Sequence, residues 1–155
     1  MKNAIRLFRG EYYFLSNFYP VQLEYRGLIF KDSEAAFQSM KALDSSVREE
    51  FVPLSKGKAK QHGKVIKMRP DWEKIKIAVM YDVVRAKFTQ SEYLKNKLLA
   101  TGDAYLEEGN NHGDKTWGTV NGYGKNYLGK ILMLVRKELR DNEIIVKRKD
   151  YHLDI

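Results

Sequence analysis

The 155-residue sequence is 43% hydrophobic and 31% charged, contains no cysteine, and carries a formal charge of +8 from 28 basic and 20 acidic residues. That length supports one domain with a real core and leaves little for a second, while the lack of cysteine excludes disulfides, thiol nucleophiles and cysteinyl metal sites. The longest aliphatic run, ILMLV at 131–135, is far short of the roughly 20 apolar residues that span a bilayer.

The composition is that of a soluble globular chain. Its N-terminus, MKNAIRLFRGEYY, has no continuous apolar stretch followed by a small-residue cleavage site, so a secretory signal is not expected and a cytoplasmic location is. The positive charge predicts attraction to anions such as phosphorylated metabolites, nucleotides or nucleic acid, without choosing among them.

In chain order, Ile5–Phe8 and Val21–Tyr25 read as strands, the second joined through Arg26-Gly27 to Leu28-Ile29-Phe30 in a hairpin. Ser33 is placed to cap a helix running to about Leu43, Ser45 or Ser46 a helix through Val52, and Ser55 a third across KGKAKQHG. A long helix from Asp71 to about Phe88 follows, with Trp72, Ile75, Val79, Val83 and Val84 as its core stripe. Ser91 to Ala100 reads as another helix, ended by Gly102, and Ala104 to Glu107 as an extended segment. Residues 109–125 hold five glycines among polar residues, which predicts a long loop of the kind that carries function or disorder. A last amphipathic helix covers about Asn126 to Arg140, and residues 141–155 form a C-terminal extension readable as an edge strand or a tail. The expected fold is α+β: one compact domain over residues 1–140, mostly helical, with a small sheet from the N-terminal hairpin and short later strands.

Four groups of residues carry candidate chemistry. In SEAAFQSMKA, Glu34, Phe37, Gln38 and Lys41 share one helix face, with Glu34 and Lys41 nearly two turns and about 10 Å apart. A face holding both an aromatic ring and a charged pair fits a cleft wall, or a core edge whose charges reach outward. In LSNF, Ser16, Asn17 and Phe18 form a polar loop among aromatics, able to offer an amide to a sugar hydroxyl or base edge, or to serve only as a turn. In DKTWG, Asp114, Trp117 and Gly118 follow Glu107 and Glu108; an indole over a loop glycine can stack on a flat base, and the carboxylates can meet ribose hydroxyls or move protons. Finally, Lys56, Lys58, Lys60, Lys64, Lys67 and Arg69 form a basic run that is either a solvated face or a phosphate site. His62, His112 and His152 are widely separated, and neither H-E-x-x-H nor D-x-D occurs, so no metal is expected. No phosphate-binding loop or complete dinucleotide fingerprint is present, and no cofactor is implied.

In order, the pieces FRGEYYFLSNFYP, GLIFKDSEAAFQSMKA, MRPDWEKIKIAVMYDVVRAKF, LLATGDAYLEEGNNHGDKTWG and GYGKNYLGKILMLVRKEL resemble the NADAR family of YbiA-like N-glycosidases over roughly residues 7–140. The resemblance implies an α-rich α+β domain acting on N-glycosidic bonds. The substrates it implies are phosphorylated ribosylaminouracil intermediates of riboflavin synthesis, split to the base fragment and ribose 5-phosphate, or ADP-ribosylated guanine in DNA. By match to S-E-x-x-F-Q-x-x-K it assigns chemistry to Glu34 and Lys41, through a Lys41 Schiff base with Glu34 as proton shuttle, or through water activated by Glu34 or Asp114. Matching positions suggest Asn17 for ribose, Trp117 for the base, and Arg69 with Lys64 for phosphate; Glu107 and Asn126 match without a distinct role. Two departures bear on substrate choice: Ala35 and Ala36 stand where many relatives carry a histidine and an aromatic, and Lys64 where an arginine is common. The competing readings are a non-catalytic module binding ADP-ribose or NAD, and a nucleic-acid-binding protein held by its basic surface, with DNA otherwise entering only as substrate.

Overall fold

Arg26 and Gly27, both at positive φ (52° and 83°), turn the chain between strands β2 (Leu23–Tyr25) and β3 (Leu28–Phe30). Two successive left-handed residues match the twist of the antiparallel strands they join, and the register follows: Leu23 faces Phe30 and Tyr25 faces Leu28. The computed structural model describes residues 3–141, and these fall into two units, residues 17–90 and residues 3–16 with 91–141. The fold is α+β, with helices outweighing short strands.

In the unit of residues 17–90, the hairpin is followed by helices α1 (Ser33–Ser39), α2 (Ser45–Glu49), α3 (Lys58–Gly63) and α4 (Trp72–Gln90). The caps differ from those expected of the serines. Asp32 caps α1, its carboxylate accepting the Ala35 N–H at 2.8 Å, and Asp44 caps α2 through the Ser46 N–H at 2.8 Å. In each case the carboxylate one residue earlier reaches the unpaired amides, and Ser33 is left inside the first turn to bond elsewhere. α3 opens at Gly57, in the left-handed region at φ 87°, rather than at Ser55. α1 ends near Ser39 instead of Leu43, because Met40 and Lys41 bond three residues back, to Phe37 and Gln38, and tighten the final turn. The α4 stripe is core as expected: Trp72, Ile75, Val79, Val83 and Val84 are all buried. At its end Gln90 turns its amide onto the edge of β2, donating to the Glu24 carbonyl at 2.7 Å and accepting the Glu24 N–H at 3.1 Å. That closes a strand edge otherwise open to pairing.

In the other unit, β1 (Ala4–Ile5) pairs in parallel with β4 (Tyr105–Leu106), and a 3₁₀ turn covers Gly10–Leu15. Among the described residues the strands form two pairs, the hairpin being one of them. α5 (Glu92–Ala100) is capped by Ser91 as expected, and α6 (Tyr127–Arg140) starts after Asn126. Arg136 reaches the Thr101 hydroxyl at 2.8 Å, and Arg140 the Gly102 carbonyl at 2.6 Å, fastening α6 to the end of α5. Residues 109–125 form a loop with isolated bridges between Gly109 and Thr119 and between Val120 and Tyr123. The C-terminal extension lies outside the described residues apart from Asp141.

Gly129 lets α6 lie against β4: a Cβ there would overlap the Leu106 carbonyl oxygen and the Asn126 amide. Alanine is normally the better helix residue by about 1 kcal/mol, but here backbone stands in its way. Gly129→Ala is expected to destabilise the protein by about 1–3 kcal/mol, read as a lower midpoint in thermal unfolding; an unchanged or higher midpoint contradicts this packing.

Candidate active site

Helix α1 is seated at its start by Asn17. The Asn17 carbonyl accepts the Glu34 N–H at 3.1 Å, and its side-chain oxygen accepts the Ser33 hydroxyl at 3.0 Å. Its Nδ2 is 3.5 Å from the Met80 sulfur on α4, so the buried amide is occupied in placing the residue next to Glu34. The Asp32 cap is itself buried, which raises its pKa against the opposing pull of the Ala35 and Lys56 backbone amides and the Lys87 charge. Phe18 is partly exposed at the following position.

Glu34, Gln38 and Lys41 follow one another along the same side, as the spacing predicts. The Gln38 Nε2 donates to Glu34 Oε2 at 2.7 Å. Glu34 is partly exposed, yet the protein around its carboxyl is dense enough that burial pushes its pKa above the usual carboxylate range; the Gln38 donor and the Lys60 and Lys41 charges pull the other way. Lys41 moves oppositely. Burial lowers its amine, Lys64 and Lys60 lower it further, and Glu34 and Glu73 oppose them. Phe37 and Trp72 pack at 5.1 Å between ring centroids, and Lys41 Nζ lies 6.0 Å from the Trp72 ring, so the amine has an apolar wall on one side. The arrangement holds a carboxyl whose pKa is raised beside an amine whose pKa is lowered, both chiefly by burial.

α3 completes this wall at Gly63. A Cβ there would overlap Gln38 Oε1, and Lys41 Nζ is 3.5 Å from the same point. Lys64 is exposed just beyond. Arg69 Nε and Nη2 grip the Asp71 carboxylate at 2.7 and 3.2 Å, while its backbone N–H bonds the Lys41 carbonyl at 2.7 Å. It braces the segment after α1. Lys60, not singled out from its basic run by spacing, is the cation whose charge acts on both Glu34 and Lys41. Only the packing of α3 on α1 distinguishes it from neighbouring lysines.

The remaining predicted residues lie in the other unit, in or beside its loop except for Ser16. Ser16 is buried and its N–H bonds the Tyr13 carbonyl at 2.9 Å, closing the 3₁₀ turn. Asp114 Oδ1 accepts the N–H groups of Thr116 and Trp117 at 3.0 and 2.9 Å, folding DKTWG into a turn. The Trp117 ring sits edge-on to Tyr127 at 6.2 Å, and Gly118 leaves room for the Glu108 carbonyl that a Cβ would strike. Glu107 is buried, with Arg6 on one oxygen at 2.7 Å and the Thr119 hydroxyl on the other. Asn126, at φ 51°, accepts the Glu108 N–H at 3.0 Å and donates to the Leu106 carbonyl at 2.9 Å. Asp114 and Asn126 thus bond backbone groups, whereas Glu107 links two side chains.

An α+β chain that sets a half-buried carboxyl on a short helix and a half-buried amine just past its end is thus the class that fold and site define. The NADAR domain matches residues 7–140, across both units, and the chain belongs to the NADAR family. It is 38% identical over 128 residues to the N-glycosidase YbiA of Escherichia coli (strain K12), covering 80% of this chain and 79% of that one. A riboflavin biosynthesis protein of Vibrio vulnificus is 36% identical over 138 residues, 83% of this chain but only 36% of that longer protein. The NMR structure of E. coli YbiA matches with a TM-score of 0.79 at 34% identity, over 97% of this chain and 93% of that one.

An acid whose pKa is raised by folding contributes most at low pH and becomes a liability as pH rises through its folded pKa; an amine whose pKa is lowered becomes one as pH falls through the ordinary lysine range. At neutral pH the charged Glu34 is therefore a net cost. Glu34→Gln, which removes the charge and keeps an acceptor for Gln38, is expected to raise the unfolding midpoint at pH 7 by about 2–4 °C. The gain is expected to vanish below about pH 4. A lower midpoint at pH 7 contradicts this electrostatic reading.

Proposed function

We propose that Glu34 and Lys41 are the reacting pair of an N-glycosidase whose substrate is a phosphorylated ribosylamino-pyrimidine intermediate of riboflavin synthesis, with the base fragment and ribose 5-phosphate as products. The chain is a hydrolase of N-glycosyl bonds, as its family and its N-glycosidase relatives support. The observation that carries the residue assignment is the opposed displacement of the two groups: a carboxyl held above its ordinary pKa beside an amine held below its own.

A glycosylamine opens when its ring oxygen is protonated and the nitrogen lone pair forms a C=N bond to C1. Glu34, whose pKa burial raises, is suited to that donation. The neutral Lys41 amine then adds to C1, a proton passes to the nitrogen of the base, and the C1–N bond to the base breaks as Lys41 forms an imine with the sugar. Water adds to that imine, restores the Lys41 amine and releases the sugar as its aldehyde, so the net reaction consumes one water. Lys60 and Lys64 supply positive charge for the phosphate, since the Arg69 fork is closed on Asp71. The +8 charge of the chain favours such an anion, and a cytoplasmic location belongs to the same reading.

The test is to incubate the protein separately with the ribosylaminouracil 5-phosphate intermediate and with an oligonucleotide carrying ADP-ribosylated guanine, and to identify the released sugar phosphate by mass. Ribose 5-phosphate from the first, reduced on the order of a hundredfold or more in Glu34→Ala and Lys41→Ala, is the expected result. Release of ADP-ribose from the second alone moves the substrate to modified DNA. Binding without turnover of either moves the reading to the non-catalytic module, and full turnover by Lys41→Arg removes the imine.

A further inference from the structure

Gln38 is 5% exposed, and one end of its amide is spoken for while the other is not. Nε2 donates to Glu34 Oε2 at 2.7 Å, whereas Oε1 is buried with no hydrogen-bond partner among the described residues. Buried acceptors left unmet are uncommon, and those that persist often serve a step of function. This one is trapped between α1 and α3: it touches the open side of Gly63, where a Cβ would displace it, and Lys41 Nζ is 3.5 Å from that same point. The amide is thus bonded to the carboxyl at one end, while its other end and the Lys41 amine both lie close to Gly63.

We propose that Gln38 is a positioning residue rather than a substrate contact: its Nε2 fixes Glu34 so that the transferable proton resides on Oε1 of the carboxyl, and its own Oε1 is held to accept an N–H of the Lys41 nitrogen once that nitrogen has bonded to the sugar carbon. A carboxyl oxygen that already accepts a donor is the poorer seat for a proton, which directs the acid to its other oxygen. A lysine nitrogen that has added to carbon still carries hydrogen, and it gains an acceptor without moving into water. This assignment rests on the reading of Glu34 and Lys41 as the reacting pair. The groups facing Glu34 are Lys60 from α3, Asp32 at the cap and Lys41 beyond the end of the helix, and none of them is altered by changing Gln38.

The experiment follows the Glu34 carboxyl directly by carbon-13 NMR over a pH titration, its resonance assigned by its loss in Glu34→Gln, in the wild-type protein, Gln38→Met and Gly63→Ala. The second variant leaves Gln38 intact and dislodges its amide by the added methyl, so it answers if Gln38→Met does not fold. Loss of the Nε2 donor is expected to move the Glu34 midpoint to higher pH in both variants, because the donor favours the ionised form. Turnover is expected to fall by roughly tenfold to a hundredfold in kcat with KM little changed. A Glu34 midpoint unmoved in the folded variants overturns the proposal, as does a raised KM at constant kcat, the mark of a substrate contact. Because the titration needs no substrate, a moved midpoint in a protein that turns over neither test compound upholds the Gln38–Glu34 coupling while the functional reading fails.

Discussion

Helix α3 approaches α1 so closely at Gly63 that a methyl group would not fit, and this approach sets the surroundings in which Glu34 and Lys41 ionise. Displacing water from a carboxyl and an amine raises the first pKa and lowers the second, which is the direction seen at both. The opposite charges partly offset that effect, since each stabilises the other's ionised form. Burial is the largest effect at both groups; Lys60 and Lys64 add to it at Lys41, which has the Trp72 ring on one side, whereas Lys60 opposes it at Glu34. The helix that bears Glu34, with Lys41 just past its end, is only seven residues long and draws little stability from its own hydrogen bonds. It is held instead from outside, by Asp32 at its cap, Asn17 at its first turn and Arg69 behind Lys41.

Much of this was legible in the sequence wherever one local rule dominated. Arg26-Gly27 specified a two-residue turn, the three- and four-residue spacing from Trp72 to Val84 specified a buried helical stripe, and Ser91 and Asn126 marked helix starts. Glu34, Gln38 and Lys41 could be placed on one side because a helix brings them there. The misreadings arose where two neighbours competed for one job. Asp-Ser at 32–33 and again at 44–45 offers two capping side chains, and in both places the carboxylate took the amides. Gln90 on the β2 edge and Arg69 on Asp71 depend on partners that sequence spacing does not favour or forbid. The end of α1 was overestimated because the apolar pattern continues past Ser39 while the backbone tightens.

The loop of residues 109–125 teaches a different lesson about polar residues in a glycine-bearing stretch. Asp114, Glu107 and Asn126 are of the types that bind sugars or move protons, and each also makes hydrogen bonds within the protein. Asp114 shapes the turn that carries Trp117, Glu107 links Arg6 to Thr119, and Asn126 joins β4 to the start of α6. A long loop has few repetitive backbone bonds, so side chains must supply them if it is to hold one shape. The site on α1 shows the converse: there Lys41 is left with a lowered pKa and Gln38 Oε1 with no partner among the described residues, at a cost to stability that a purely structural helix would have no reason to bear.

The chemical account therefore turns on whether Lys41 acts as a nucleophile. Adding borohydride during turnover of the ribosylaminouracil 5-phosphate and mapping the protein by peptide mass spectrometry tests this most directly, since an imine between Lys41 and the sugar is reduced to a stable secondary amine. The account predicts loss of activity with one sugar phosphate retained on the peptide containing Lys41, and none in Lys41→Arg. Continued turnover in borohydride with no adduct at Lys41 contradicts it and assigns the reaction to direct attack of water.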